Sequence, residues 1–86
     1  MYMQNEQIKQ LIEQGIPESF VEIGGDDGTH FDAIVVSERF SGLNMVKQHQ
    51  LVYQALGEKM GREIHALSIR TFTPDEWEKS KGLRVL

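Results

Sequence analysis

The fold is decided by the longest helical pattern in the chain, residues 40–61, which read FSGLNMVKQHQLVYQALGEKMG. Side chains of one helix face recur there at alternating steps of three and four residues. They are Val46, His49, Tyr53, Leu56 and Met60, and Val52 widens the stripe. The spacing predicts a helix that packs this stripe against the rest of the protein and ends near Gly61.

Strand patterns flank this helix on both sides. Residues 31–36, FDAIVV, are almost continuously apolar, which is typical of a strand covered on both faces. Residues 64–72, IHALSIRTF, place Leu67 and Ile69 in alternation with polar side chains. Two strands joined through a helix lie parallel when they are neighbours in a sheet, so the unit predicts a parallel pair with a right-handed crossover.

Upstream, a further strand and a turn complete a hairpin. Val21 and Ile23 alternate with Glu22, which is the pattern of a half-buried strand. The cluster GGDDGT at residues 24–29 predicts the turn, and Asp27–Gly28 is the expected point of reversal.

Helices are predicted at the two ends of this pattern. Residues 5–14 carry an apolar helix face, with Asn5 as the expected N-cap. The stretch TPDEW forms a capping box between Thr73 and Glu76, which starts a short final helix. Trp77 is the structural residue expected to anchor that helix to the body of the protein.

The order of elements is therefore α-β-β-α-β-α. It predicts an α+β fold with a three-stranded mixed sheet and helices mainly on one face. The 86 residues allow one compact domain with a thin core, so residues 1–86 are expected to form a single domain.

Composition excludes several kinds of site. The chain has no cysteine, and 40% of its residues are hydrophobic and 26% charged. Without cysteine it has no disulfide, no zinc–thiolate site, no cysteine nucleophile and no iron–sulfur site of its own built from cysteines. It also lacks a nucleophile elbow and a phosphate loop, so we do not expect an enzyme. The absence of a long apolar run and of a signal-peptide pattern predicts a cytoplasmic protein without a membrane segment.

The charge is distributed unevenly along the chain. Its net value is −4, but residues 1–38 carry eight acidic residues and one basic residue, whereas residues 39–86 carry eight basic and five acidic residues. If the protein binds a polyanion, the second half is the part expected to do so, with Lys47, Lys59 and Arg62 as DNA contacts. The alternative is that both halves simply carry solvated charges.

Three histidines are the candidates for chemistry or for internal polar contacts. His30 and His65 each stand at the start of a predicted strand. Parallel neighbouring strands lie about 4.8 Å apart and would place both histidines at the same end of the sheet, so that two imidazoles could bind one metal. The alternative is that they are two ordinary, partly exposed histidines. His49 lies on the helix stripe with Tyr53, and both are predicted to be structural, the His49 ring through hydrogen bonds inside the fold.

Two stretches together resemble the BolA family. They are FSGLNMVKQHQLVY at residues 40–53 and IHALSIRTFTPDEW at residues 64–77, and the hairpin GDDGTHF resembles the acid-stress BolA-like branch of that family. The likeness covers roughly residues 5–80 in the same order of elements. It implies a fold similar to a class II KH domain.

The resemblance also implies a partner and a cofactor. It implies a heterodimer with a monothiol glutaredoxin that shares a [2Fe–2S] cluster, for cluster trafficking or for sensing of iron or stress. His65 corresponds to the family's histidine ligand, and His30 to its variable ligand in the hairpin. The glutaredoxin cysteine and a glutathione thiol would complete the coordination, and the protein alone would hold no cofactor. Surface around residues 40–46 and the last helix would add contacts.

One departure from the family bears on the alternative function, a KH-like DNA-binding transcriptional regulator. BolA-type sequences often carry arginines beside the helix histidine, where this chain has Gln48 and Gln50. A KH-type GxxG clamp for a nucleic-acid backbone is also not evident. Specific nucleic-acid binding is therefore the weaker of the two predictions, and a weak homodimer is a further alternative.

Overall fold

The computed structural model describes residues 4–25, 30–62, 64 and 66–85, with side chains up to Lys81. Its helices and strands follow the predicted order. They are α1 (Asn5–Gly15), β1 (Phe20–Gly24), β2 (His30–Val36), a 3₁₀ turn (Glu38–Phe40), α2 (Met45–Leu56), a second 3₁₀ turn (Gly57–Lys59), β3 (Ala66–Phe72) and α3 (Pro74–Val85). Among the helices of the described part, none is long and apolar enough to cross a membrane.

The three strands form one mixed sheet in the order β1-β2-β3. β1 and β2 pair antiparallel, with Val21 opposite Val35, and β2 and β3 pair parallel, with Phe31 opposite Leu67. The predicted hairpin and the predicted parallel pair are both confirmed. The expected reversal at Asp27–Gly28 lies outside the described residues.

The hydrophobic core lies between one face of this sheet and the helices α1 and α2. Side chains of a strand alternate between faces, so every second residue of β2 faces this core. Eleven buried side chains form the core cluster: Ile8, Ile12, Ile16, Val21, Phe31, Ala33, Val35, Phe40, Val52, Leu56 and Ile64. The α+β prediction with helices mainly on one face is confirmed.

The final helix covers only one end of the opposite face of the sheet. Phe20, Val36 and Phe72 form a row across the three strands, and the Trp77 ring of α3 lies against it. The Trp77 ring centroid is 6.0 Å from that of Phe20 and 5.3 Å from that of Phe72. Trp77 thus holds α3 to the sheet.

Short-range hydrogen bonds set the starts of the first and last helices. The Thr73 N–H donates to Glu76 Oε1 at 2.8 Å, and the Glu76 N–H donates to Thr73 Oγ1 at 3.3 Å, so the predicted capping box is confirmed. The predicted N-cap at Asn5 is wrong. Gln4 precedes α1 instead, and its N–H donates to Gln7 Oε1 at 2.8 Å.

The buried face of α2 differs from the predicted stripe. Val52 and Leu56 are buried, whereas Val46 is 66% exposed and Tyr53 is 41% exposed. Successive residues of a helix are rotated by about 100°, so burying the line through Val52 leaves Tyr53 towards solvent. The prediction that Tyr53 packs into the body of the protein is therefore wrong. Ile64, which follows α2 in the chain, is also part of the core.

The end of α2 also lies earlier than predicted. The helix ends at Leu56, and Gly57 follows with φ of 58°, a left-handed conformation that glycine adopts at little cost. Gly61, the predicted end, also has a positive φ, but it follows the second 3₁₀ turn.

Glycine at position 15 permits a close approach of α1 and α2. A Cβ atom on Gly15 would overlap Ala55 of α2. We expect Gly15→Ala to lower the free energy of unfolding by about 1–3 kcal/mol, because the helices must move apart. Urea denaturation measures this, and Gln14→Ala, at the exposed neighbouring position, should change it by less than about 0.5 kcal/mol. Equal midpoints for the two variants would contradict the close approach.

Candidate metal centre

The candidate centre lies where β2 and β3 begin. His30 is the first residue of β2 and Ala66 the first of β3, and the two are partners in the parallel register. Neighbouring strands are about 4.8 Å apart. His65 lies outside the described residues, and it precedes Ala66 directly in the chain. The described part thus brings the two strand starts side by side, as the order of elements predicts.

The backbone around His30 is closely packed on the hairpin side. Gly25 has φ of 129°, and a Cβ atom on it would overlap the carbonyl oxygen of His30. The Asn5 side chain donates from Nδ2 to the Gly25 carbonyl at 3.3 Å. The start of α1 therefore holds the strand end that carries His30, while the His30 side chain itself is exposed. In the sequence, the only sign of this close packing is the pair Gly24–Gly25 at the start of the predicted turn.

The donors of the described residues do not complete a metal site. Within the described ranges, no three histidine, aspartate or glutamate side chains are grouped so that they could hold a metal ion. The whole chain also has no cysteine.

His49 is only half-buried on α2. Its ring makes no hydrogen bond to another residue in the part of the chain that the structure describes. The prediction that its ring nitrogens bond inside the fold therefore stays a prediction. The buried side of α2 runs through Val52 and Leu56. His49 lies at the edge of this side, where its ring can remain in contact with water.

Gln48 has a role that sequence reasoning missed. Its Nε2 donates to the Phe40 carbonyl at 3.1 Å and to the Leu43 carbonyl at 2.9 Å. Its Oε1 accepts a hydrogen bond from Thr71 Oγ1 at 2.6 Å. One side chain thus joins α2 to β3 and to the segment that precedes α2. No local pattern indicates this, because its partners lie up to 23 residues away in the chain.

The predicted DNA contacts do not form one compact patch. Lys47 is exposed in the first turn of α2, whereas Lys59 and Arg62 follow the end of that helix. The helix between Lys47 and Leu56 spans about 13 Å. The three basic residues therefore flank α2 at its two ends.

The outer side of α2 exposes apolar side chains. Met45 is 68% exposed, and Val46 and Tyr53 lie two turns apart on the same side of the helix. Phe40, by contrast, is completely buried, so the surface expected around residues 40–46 begins at Ser41. Exposed apolar side chains grouped along one helix are typical of an interaction surface.

A family model, a relative and a solved structure all show similarity to this chain over most of its length. Residues 8–76 match the family model described as BolA-like protein. The chain is 38% identical over 82 residues to the acid stress protein IbaG of Escherichia coli (strain K12), a match that covers 94% of this chain and 96% of IbaG. The structure of a bolA protein homologue from Coxiella burnetii superposes with a TM-score of 0.80 at 48% identity, covering 88% of this chain and 97% of that one.

A third similarity is shorter. The chain is 49% identical over 51 residues to the DNA-binding transcriptional regulator BolA of Vibrio cholerae serotype O1. That match covers 59% of this chain and 48% of the regulator. None of these three proteins is named as an enzyme.

Proposed function

This chain belongs to the BolA family, and we propose that it is a non-enzymatic adaptor that binds a monothiol glutaredoxin and shares a [2Fe–2S] cluster with it. In this proposal His65 and His30 supply nitrogen ligands from this chain. The glutaredoxin cysteine and a glutathione thiol supply sulfur ligands from the other side. The adaptor would serve cluster trafficking or the sensing of iron or stress.

One observation carries this proposal, the parallel register that places His30 opposite Ala66. Residue 65 is bonded to Ala66, so in this proposal its imidazole joins that of His30 at the same end of the sheet. Histidine side chains at positions 30 and 65 could then bind one iron atom without a rearrangement of the sheet. The resemblance of the sequence to BolA proteins supports the identity of the partner.

The chemistry of the donors supports sharing rather than independent binding. A [2Fe–2S] cluster takes two protein ligands on each iron, and two imidazoles can replace two thiolates on one of them. This chain offers imidazole and has no cysteine. Two thiolates from the other side, one from the glutaredoxin and one from glutathione, would therefore complete the coordination. The role of the chain is to hold its imidazoles at the sheet end and to exclude other ligands by docking its partner.

The exposed apolar side of α2 supports a docked partner. Met45, Val46 and Tyr53 present apolar surface to solvent on a helix that packs beside β3. Burying such side chains is the main favourable term in most protein association. Because α2 leads back towards the start of β3, a partner that covers Tyr53 also comes near the candidate ligands.

The proposal is tested by purifying the chain alone, the glutaredoxin alone and the two together, with iron, sulfide and glutathione supplied to each. We expect the mixture to form a heterodimer whose visible absorption and circular dichroism differ from those of the glutaredoxin. We expect the BolA-family chain alone to hold no cluster. A stable cluster on this chain without a partner, or spectra of the mixture that equal the sum of the separate proteins, would contradict the proposal.

A second candidate function is sequence-specific DNA binding, which the name of the Vibrio cholerae relative favours. The net charge of −4 and the separation of Lys47 from Arg62 oppose it. We expect DNA binding to be weak and independent of sequence, and to fall steeply between about 50 and 200 mM salt. Fluorescence anisotropy with a promoter duplex and a scrambled duplex measures this. Nanomolar binding that distinguishes the two at about 150 mM salt would favour the regulator instead.

A further inference from the structure

A groove lies at the end of the sheet opposite to His30. It has a volume of about 370 Å³, and apolar side chains form its floor. They are Pro17, Phe20, Val36 and Pro74. The six residue steps of β2 from His30 to Val36 correspond to about 20 Å. The groove is thus separate from the candidate metal centre, and its volume lies at the lower end of the range for ligand pockets.

The floor of the groove is accessible at Phe20, although Phe20 also belongs to the row against which the Trp77 ring lies. Phe20 is 47% exposed, while its ring also contacts that of Trp77. Val36 is buried beside it in the register of the sheet. A large apolar side chain from another molecule can therefore contact the Phe20 ring without displacing a residue of this chain.

Charged side chains surround this floor. Glu18, Glu38 and Arg39 line the groove, and all three are exposed. None of the three side chains forms an ion pair or hydrogen bond with another residue of the described part. Acidic groups outnumber the basic one, and Asp75, also exposed, follows Pro74 at the start of α3. The groove therefore favours an apolar segment that carries positive charge.

Glu18 occupies a conformation that is costly for its residue type. Its φ is 62°, and it is the only residue other than glycine with a positive φ in the described part of the chain. Glycine adopts this region more easily than glutamate does. Within the described part, no hydrogen bond or ion pair engages its carboxylate. Strain of this kind is often found where a side chain serves a ligand.

We propose that this groove docks a short segment of a partner protein in which a large apolar side chain is flanked by lysine or arginine. The apolar side chain packs on Phe20 and Val36. The flanking cations pair with Glu18 and Glu38, and Arg39 donates hydrogen bonds to backbone carbonyl oxygens of the segment. Because the groove is at the other end of the sheet from His30, this segment and a ligand at the strand starts can be bound together. The proposal does not depend on the function proposed above.

The test is an NMR titration of the full chain with two acetylated, amidated nonapeptides. Each has a central leucine and phenylalanine, flanked by lysines in one peptide and by glutamates in the other. We expect the lysine peptide to bind about tenfold more tightly, with shift changes concentrated at the groove. The double variant Glu18→Lys/Glu38→Lys should reverse this preference. The variant Glu58→Lys, a single reversal of charge at an exposed position after α2, should leave the preference in place.

A further variant separates a binding role of Glu18 from a structural one. Glu18→Gly removes the carboxylate and also the unfavourable φ. We expect its urea midpoint to stay equal or rise, while its affinity for the lysine peptide falls. An unchanged affinity would overturn the proposal, as would equal binding of the two peptides or no shift changes at millimolar peptide. Shift changes of the groove residues on dilution without peptide would identify a second copy of this chain as the occupant, and would overturn it too.

Discussion

Replacement of His65 with alanine is expected to remove the visible circular dichroism of the cluster shared with glutaredoxin, while the chain itself stays folded. The substitution deletes the proposed ligand that directly precedes β3, and the parallel pairing with β2 fixes the backbone from Ala66 onwards. Because an alanine cannot bind iron and the chain has no cysteine to replace the lost ligand, the coordination cannot be restored from within this protein.

Substitutions at the other two histidines provide matched comparisons. His30→Ala should weaken the cluster less than His65→Ala does, because the His30 side chain is exposed and its loss leaves room for water or another ligand. His30→Cys should retain the cluster and lower its reduction potential by on the order of 100 mV, since a thiolate donates more charge to iron than an imidazole does. His49→Ala removes a half-buried ring without a hydrogen-bond partner in the described part, so the cluster spectrum should persist.

These variants are compared by visible circular dichroism of the reconstituted heterodimer and by urea midpoints of each chain alone. Loss of the cluster signal in a folded His49→Ala variant, with an unchanged signal in His65→Ala, would show that the ligands are assigned wrongly. Loss of the heterodimer itself in His65→Ala would instead point to a contact role.

The second large effect is expected at Gly25. Gly25→Ala should lower the free energy of unfolding by about 1–3 kcal/mol, because φ of 129° is unfavourable for alanine and because its Cβ would overlap the His30 carbonyl. The strand end must shift to relieve the overlap, and His30 moves with it. We therefore also expect the shared cluster to be lost faster from this variant than from the wild-type heterodimer.

Gly24→Ala is the control for this substitution. Gly24 precedes Gly25 in the same strand end, has no positive φ, and has nothing within 4 Å of the position that a Cβ would occupy. Its stability should stay within about 0.5 kcal/mol of the wild type. Urea denaturation and the decay of the visible absorption measure the two effects. Equal stability of Gly24→Ala and Gly25→Ala would contradict the packing of Gly25 against His30.

Short-range signals were sufficient for the order of elements. The capping box between Thr73 and Glu76 spans three residues, and its hydrogen bonds form in the structure as predicted. The hairpin and the 3₁₀ turn at Glu38–Phe40 likewise depend on neighbours in the chain. The alignment of His30 with the start of β3 could also be predicted, because a strand–helix–strand connection makes the two strands parallel.

Features that depend on contacts between distant segments were not predictable in this way. Periodicity showed that α2 is amphipathic, but whether Tyr53 or Val52 is buried depends on how α1 and the sheet meet the helix. The contacts of Gln48 with Thr71, and of Gly15 with Ala55, join residues far apart in the chain. The groove that Phe20 lines likewise forms only when Pro17, Val36 and Pro74 are brought to one end of the sheet. Secondary-structure propensity and the spacing of apolar residues depend on a few neighbouring residues. Packing depends on surfaces that come into contact only when the chain folds.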